Sequence, residues 1–137
     1  MSYQEGNIST LNYAYVTTLE KGVNEAISLV TEALKQEGFG ILTVIDVKET
    51  LKKKLDVDYT PYVILGACNP QLAYRALTEE ADIGLLLPCN VIVRQIEDGT
   101  LVAAVDPIKM LGVVENPNLI PIAEEAREKL RRVIRSL

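Results

Sequence analysis

At 137 residues the chain is long enough to bury about two-thirds of its unfolded surface in one domain, without metals or cross-links. It contains no histidine, which removes the usual general base and the commonest metal ligand and rules out a serine triad, and its net charge of −5 disfavours a polyphosphate partner. An apolar fraction of 48% lies near the top of the globular range, yet no apolar run nears the roughly 20 residues that span a bilayer; some of that excess is expected to be buried against another subunit.

Met1 to Gly6 is polar, with neither a basic n-region nor an apolar h-region, so no export is expected. Two cysteines without a dense framework suit a reducing compartment, and together these features point to the cytoplasm. Leu11 to Thr18, rich in aromatic and β-branched residues, predicts a first strand. Thr17 and Glu20 have capping-box spacing. The helix that follows places Val23, Ala26, Ile27, Val30, Ala33 and Leu34 on one stripe, and Gly38 is its C-terminal glycine. Gly40 to Val47 predicts a second strand, with Asp46 capping a short helix through Leu55. A third strand runs from Tyr62 to Cys68. Asn69-Pro70 opens another short helix, with Asn at the cap and Pro where a missing N–H costs nothing.

Cys89 to Glu97 and Thr100 to Asp106 form the last two strands, with Asp98-Gly99 as the hairpin loop. That loop pairs Ile96 with Leu101, Arg94 with Ala103, Ile92 with Val105 and Val91 with Asp106. Both faces of the hairpin are apolar, so a helix or a partner chain should cover the second face. A final helix starts near Pro121, with Ile122, Ala126, Leu130, Val133 and Leu137 as its stripe. The order predicts an α+β domain over residues 1–137, with a mostly antiparallel five-stranded sheet, two long helices and two short inserted ones.

Several segments carry a resemblance: Gly38-Phe39-Gly40 before Ile45-Asp46-Val47-Lys48, Ile64-Leu65-Gly66-Ala67-Cys68-Asn69-Pro70, Leu86-Leu87-Pro88-Cys89-Asn90 and Val105-Asp106-Pro107. In this order, from about Tyr13 to Met110, they resemble the bacterial and archaeal domain-of-unknown-function 302 family. The resemblance implies a β-α-β4-α fold of the TATA-binding-protein-like class and a homodimer, and attaches no activity. If its strands form an antiparallel meander, Cys68, Asn69, Cys89, Asn90 and Asp106 gather at one edge of the sheet. A parallel connection between strands three and four would hold the cysteines roughly 20 Å apart.

These five residues are the candidate ligand-binding group. Asn supplies donors and acceptors, and a helix N-terminus attracts anions and favours a thiolate. Three readings stay open: a dimer-forming module binding a small ligand or protein partner at this edge, a thiol redox enzyme or sensor in which Cys68 attacks and Cys89 resolves, and a structural dimer with core cysteines. For zinc, Cys68, Cys89 and Asp106 fall one short of four ligands unless two chains share the site. No catalytic residue and no cofactor is assigned. Lys52, Lys53 and Lys54 fan around a short helix as a solvated face. Arg127, Arg131 and Arg135 line one side of the last helix, but Glu128 is spaced to pair with Arg131 and Arg132 and Glu125 with Lys129, and no nucleic-acid or membrane partner is expected.

Overall fold

The computed structural model describes the backbone of residues 3–5 and 8–137 and the side chains of residues 11–137. Its strands are β1 (Tyr3–Glu5), β2 (Ile8–Thr10), β3 (Ala14–Leu19), β4 (Gly40–Asp46), β5 (Tyr62–Cys68), β6 (Cys89–Ile96) and β7 (Gly99–Val105). The helices are α1 (Val23–Gln36), α2 (Val47–Leu55), α3 (Pro70–Glu79), α4 (Pro107–Gly112) and α5 (Ile120–Arg135), with 3₁₀ turns at Ala81–Leu86 and Pro117–Leu119. All strands form one sheet in the order β1-β2-β3-β7-β6-β5-β4, and every neighbouring pair is antiparallel.

The β-α-β4-α frame, with its five antiparallel strands, is β3-α1-β4-β5-β6-β7-α5, and α2 and α3 are the two short inserted helices. Helix α1 carries the chain from β3 to the far edge, and β4 to β7 then return strand by strand until β7 pairs with β3. Two features lie outside the expected frame. Strands β1 and β2 extend the sheet beyond β3, and α4 follows β7.

Helix α1 forms where Ala26, Val30 and Leu34 meet at helical spacing, and all three are fully buried. It does not begin with the expected capping box. Gly22 is the N-cap without a side-chain bond, and Thr17 lies in β3 opposite Val102. Tertiary pairing of the strand prevails over the local capping signal. The other end stops as expected. Gly38 takes φ +82°, its N–H bonds the Lys35 carbonyl, and Phe39 N–H bonds the Leu34 carbonyl. Phe39 and Leu34 share the core, completing the hydrophobic contact of this motif.

The main core lies between α1, α5 and one face of β5, β6 and β7, with Leu65, Val91, Val93 and Val102 against Val30, Leu34, Leu130 and Ile134. A second core, at the end of the sheet, joins α3, the 3₁₀ turns, α4 and the start of α5 through Leu72, Ile83, Leu111, Leu119 and Ile122. Arg132 on α5 grips the Glu37 carboxylate with bonds of 2.9–3.2 Å and ties α5 to the end of α1.

The β6–β7 register differs from the expected one. Ile96 faces Gly99, Arg94 faces Leu101 and Ile92 faces Ala103, so the turn is Glu97-Asp98. The shift is two residues, so each side chain keeps its face. Gly99 is required in the strand rather than in the turn. Its φ is +147°, and a Cβ there would collide with the Leu19 carbonyl. The neighbouring Thr100 hydroxyl donates to the Lys21 carbonyl at 2.7 Å, pinning the β3–α1 loop against the hairpin.

The opposite face of the sheet carries a cluster built of strand residues alone: Ala14, Val16 and Ala103, with Ile92 and Leu101 packed on them. Among the described residues no helix joins this cluster, so the expected covering helix is not found there. Ladder partners extend it as one row across five strands, Val16-Ala103-Ile92-Ile64-Ile45.

Candidate functional site

In the β5–β6 ladder Ala67 faces Cys89 and Gly66 faces Asn90, so the end of β5 lies beside the start of β6. The antiparallel arrangement on which the cysteine cluster depends is therefore present. Cys68 closes β5, and Asn69 turns the chain into α3. The Asn69 Oδ1 accepts the Leu72 N–H at 3.2 Å, and its Nδ2 donates to the Glu37 carbonyl at 3.3 Å. One buried amide thus caps α3 and ties down the C-terminus of α1, using both of its ends.

Cys68, Asn69 and Cys89 line a narrow crevice of about 40 Å³, together with Phe39, Leu72 and Leu111. Cys68 is half-buried and Cys89 is buried, and both thiols are free. Burial raises the Cys68 thiol above its ordinary value. Burial and then the neighbouring Cys68 push Cys89 up to about 11. The N-terminus of α3, which favours a thiolate, is outweighed by desolvation, so both sulfurs are protonated at neutral pH.

The other two candidates stand apart. Asn90 is exposed and pairs with Gly66, away from the crevice. Asp106 caps α4, accepting the Ile108 N–H at 2.9 Å, and its other oxygen accepts the Tyr15 hydroxyl at 3.3 Å. The Asp106-Pro107 pair repeats the cap-plus-proline pattern of Asn69-Pro70, so α4 was legible from that signal. Among the described residues no group of three or more carboxylates and thiols is placed to hold a metal, and the Cys68-Cys89-Asp106 set is not assembled.

A polar group around Asp106 had no sequence signal, because its members are 91 residues apart. The Arg131 guanidinium lies 5.7 Å from the centre of the Tyr15 ring. Burial and the Asp106 carboxylate raise the Tyr15 hydroxyl, against the pull of Arg127 and Arg131. Arg131 approaches Glu128 at 3.4 Å, as expected, and Arg127 does so at 3.5 Å, but Arg132 and Glu125, expected to pair within α5, bind Glu37 and Arg75 on other elements, each at 2.9 Å. Beyond Leu111 lies a roomier apolar groove of about 420 Å³ between α4 and α5. Its one amide, Asn116, is engaged by the Asn118 N–H, the Glu79 carbonyl and Glu80, which leaves no side-chain amide to orient a ligand.

One antiparallel sheet, two long helices on one face and a two-thiol crevice at the end of its central strands define an α+β protein of the β-α-β4-α type. Residues 15–137 match the domain of unknown function DUF302, nearly the whole chain, and the chain belongs to that family. A solved structure, described as an uncharacterized conserved DUF302 protein from Bacillus stearothermophilus, superimposes with a TM-score of 0.84. It is 37% identical, over 90% of this chain and 97% of that one. No curated protein matches. Among the described residues no helix is long and apolar enough to cross a membrane.

Proposed function

We propose that the protein is a cytoplasmic, homodimeric binding module whose ligand site is the crevice between Cys68 and Cys89. The observation that carries this reading is that Cys68 and Cys89, from two strands that meet only in the folded chain, both line one apolar crevice. The thiol redox alternative draws less support, because a reactive cysteine needs a lowered pKa and burial raises both of these. The purely structural alternative predicts that the crevice takes nothing.

A thermal-shift screen of small ligands on the wild type and on Cys68→Ser tests the reading. Stabilising ligands that lose their effect in the variant support it. Stabilisation that survives the substitution places binding elsewhere and overturns it. A native thiol titration at pH 7 separates the redox alternative: slow modification of both cysteines, accelerated by denaturant, is expected of a binding crevice. Rapid modification of native Cys68 would favour the redox reading instead.

A further inference from the structure

We propose that the groove between α4 and α5 is a ligand site of its own, for a small amphiphilic cation: an apolar body carrying one ammonium or guanidinium group. Its volume of about 420 Å³ falls within the roughly 300–1,000 Å³ of pockets that hold organic ligands. Leu111, Leu119 and Ala123 are the buried part of its lining, and Pro117 and Ile120 the exposed part. Leu111 also lines the crevice beside Cys68, but that crevice has about 40 Å³ and excludes a ligand of this size. The two sites are therefore independent: a ligand of a few atoms reads the crevice, and a longer amphiphile reads the groove.

Two lining residues run against the preferences of the backbone that carries them. Gly112 closes α4, where almost any other residue would favour the helix more. Its φ lies outside the left-handed region, and a Cβ built on it meets nothing within 4 Å. Neither conformation nor crowding requires glycine there, and a side chain would take up space at the groove. Glu115 is the reverse case. At φ +59° it holds the left-handed turn that ends α4, its N–H on the Gly112 carbonyl at 3.1 Å, a position that glycine takes at least cost. Fold stability alone favours a side chain at 112 and a glycine at 115. An open groove with an acidic rim requires the residues present, and such departures from local preference gather at functional sites.

Charge names the ligand class. Glu115 is the one charged residue in the lining, which holds neither lysine nor arginine. Among the described residues its carboxylate has no hydrogen-bond or ion-pair partner. The neighbouring Asn116 binds the Glu80 carboxylate at 3.0 Å, so a second acidic group stands near the same end. An anionic amphiphile would meet these carboxylates with nothing to offset them, whereas a cation meets one that is uncommitted. An exposed ion pair contributes little on its own, so the apolar body supplies most of the affinity and Glu115 selects the sign of the charge.

The test is a titration of the backbone amide resonances of the full chain at neutral pH with three probes of one body and different charge: phenylbutylamine, phenylbutanol and phenylbutyrate. The expected result is shifts centred on Gly112, Glu115 and Ile120. The amine should bind about two- to fivefold more tightly than the alcohol, the range of an exposed ion pair, and the butyrate most weakly. Gly112→Leu should weaken the amine at least tenfold while melting no lower than the wild type, and Glu115→Gln should leave the amine no better than the alcohol. No shift at the groove with any probe, binding unchanged by Gly112→Leu, or an alcohol or butyrate that binds as tightly as the amine would each overturn the proposal. A Gly112→Leu chain that melts well below the wild type would overturn it too, since the space would then not be open. Groove resonances that move with protein concentration and with no probe would give the groove to a second copy instead.

Discussion

Asn69 joins three segments through one amide. Replacing it by alanine removes the α3 cap, typically worth about 1 kcal/mol, and leaves the Leu72 N–H and the Glu37 carbonyl short of a buried partner, at about 1–3 kcal/mol for such groups. Asn69→Ala is therefore expected to lower unfolding free energy by about 2–3 kcal/mol in a denaturant titration, with the slope unchanged; a loss below about 0.5 kcal/mol would mean that water takes over both bonds. The cap itself was legible in the sequence, since Asn-Pro after a strand is a helix start. The bond to Glu37 was not, because it spans 32 residues and depends on how α1 ends. Cys89 gives a second prediction at this scale. Its folded-state pKa, about 11, lies above its ordinary 9.0, so the neutral thiol is favoured by folding. The unfolded chain loses its proton first, so this contribution is fully present below about pH 9 and disappears as pH rises through about 11. Two pKa units amount to on the order of 2–3 kcal/mol. Stability between pH 9 and 11 should fall more steeply in the wild type than in Cys89→Ala, and equal slopes would show that the thiol is not desolvated.

The β6–β7 hairpin shows what sequence patterning determines and what it leaves open. Asp98-Gly99 between apolar runs located the hairpin correctly, because turn residues interrupt a period-2 pattern. The register came out two residues away because a glycine can serve two purposes, and here it serves the close approach of Leu19 rather than the turn. Gly99→Ala meets both a φ of +147° and the Leu19 carbonyl, neither of which a side-chain rotation relieves. The expected cost is about 3 kcal/mol or more, a large share of the 5–15 kcal/mol that holds a typical domain together. The melting temperature should drop sharply, and a shift of only one or two degrees would refute the conflict. Strands β4 to β7 and helices α1 and α5 were legible because their apolar spacing reflects burial, as with Ala26, Val30 and Leu34. Strands β1 and β2 were not, since Tyr3–Glu5 and Ile8–Thr10 have three residues each, too few for alternation to register. The same logic separates the site residues. Cys68 and Cys89 were correctly joined by meander topology, whereas Asp106 was drawn away by capping α4, a helix whose Asp-Pro start was present in the sequence but not used.

Two-sided apolarity is the property of the whole sheet that most constrains assembly. One face is filled by α1 and α5. The other carries the row Val16-Ala103-Ile92-Ile64-Ile45 and only one charged residue, Arg94, at the ladder positions flanking that row, where an exposed face would alternate with polar residues. The row ends at the edge strand, where Ile45 is 46% exposed, and an uncovered apolar edge of this kind invites pairing. Val16 and Ala103 are already buried within the chain, so the part of the row open to a partner is Ile92, Ile64 and Ile45, toward the β4 edge. A second copy satisfies this face without any complementary charge, since an isologous contact brings the same apolar row to both sides. Light scattering at micromolar concentration should therefore give twice the 15.1 kDa chain mass. Ile64→Glu, which sets a charge in the middle of the row on the side away from α1 and α5, should halve that mass while leaving the circular dichroism of the monomer intact. A monomeric wild type, or a dimer indifferent to Ile64→Glu, would place the interface elsewhere and leave the apolar face without an occupant.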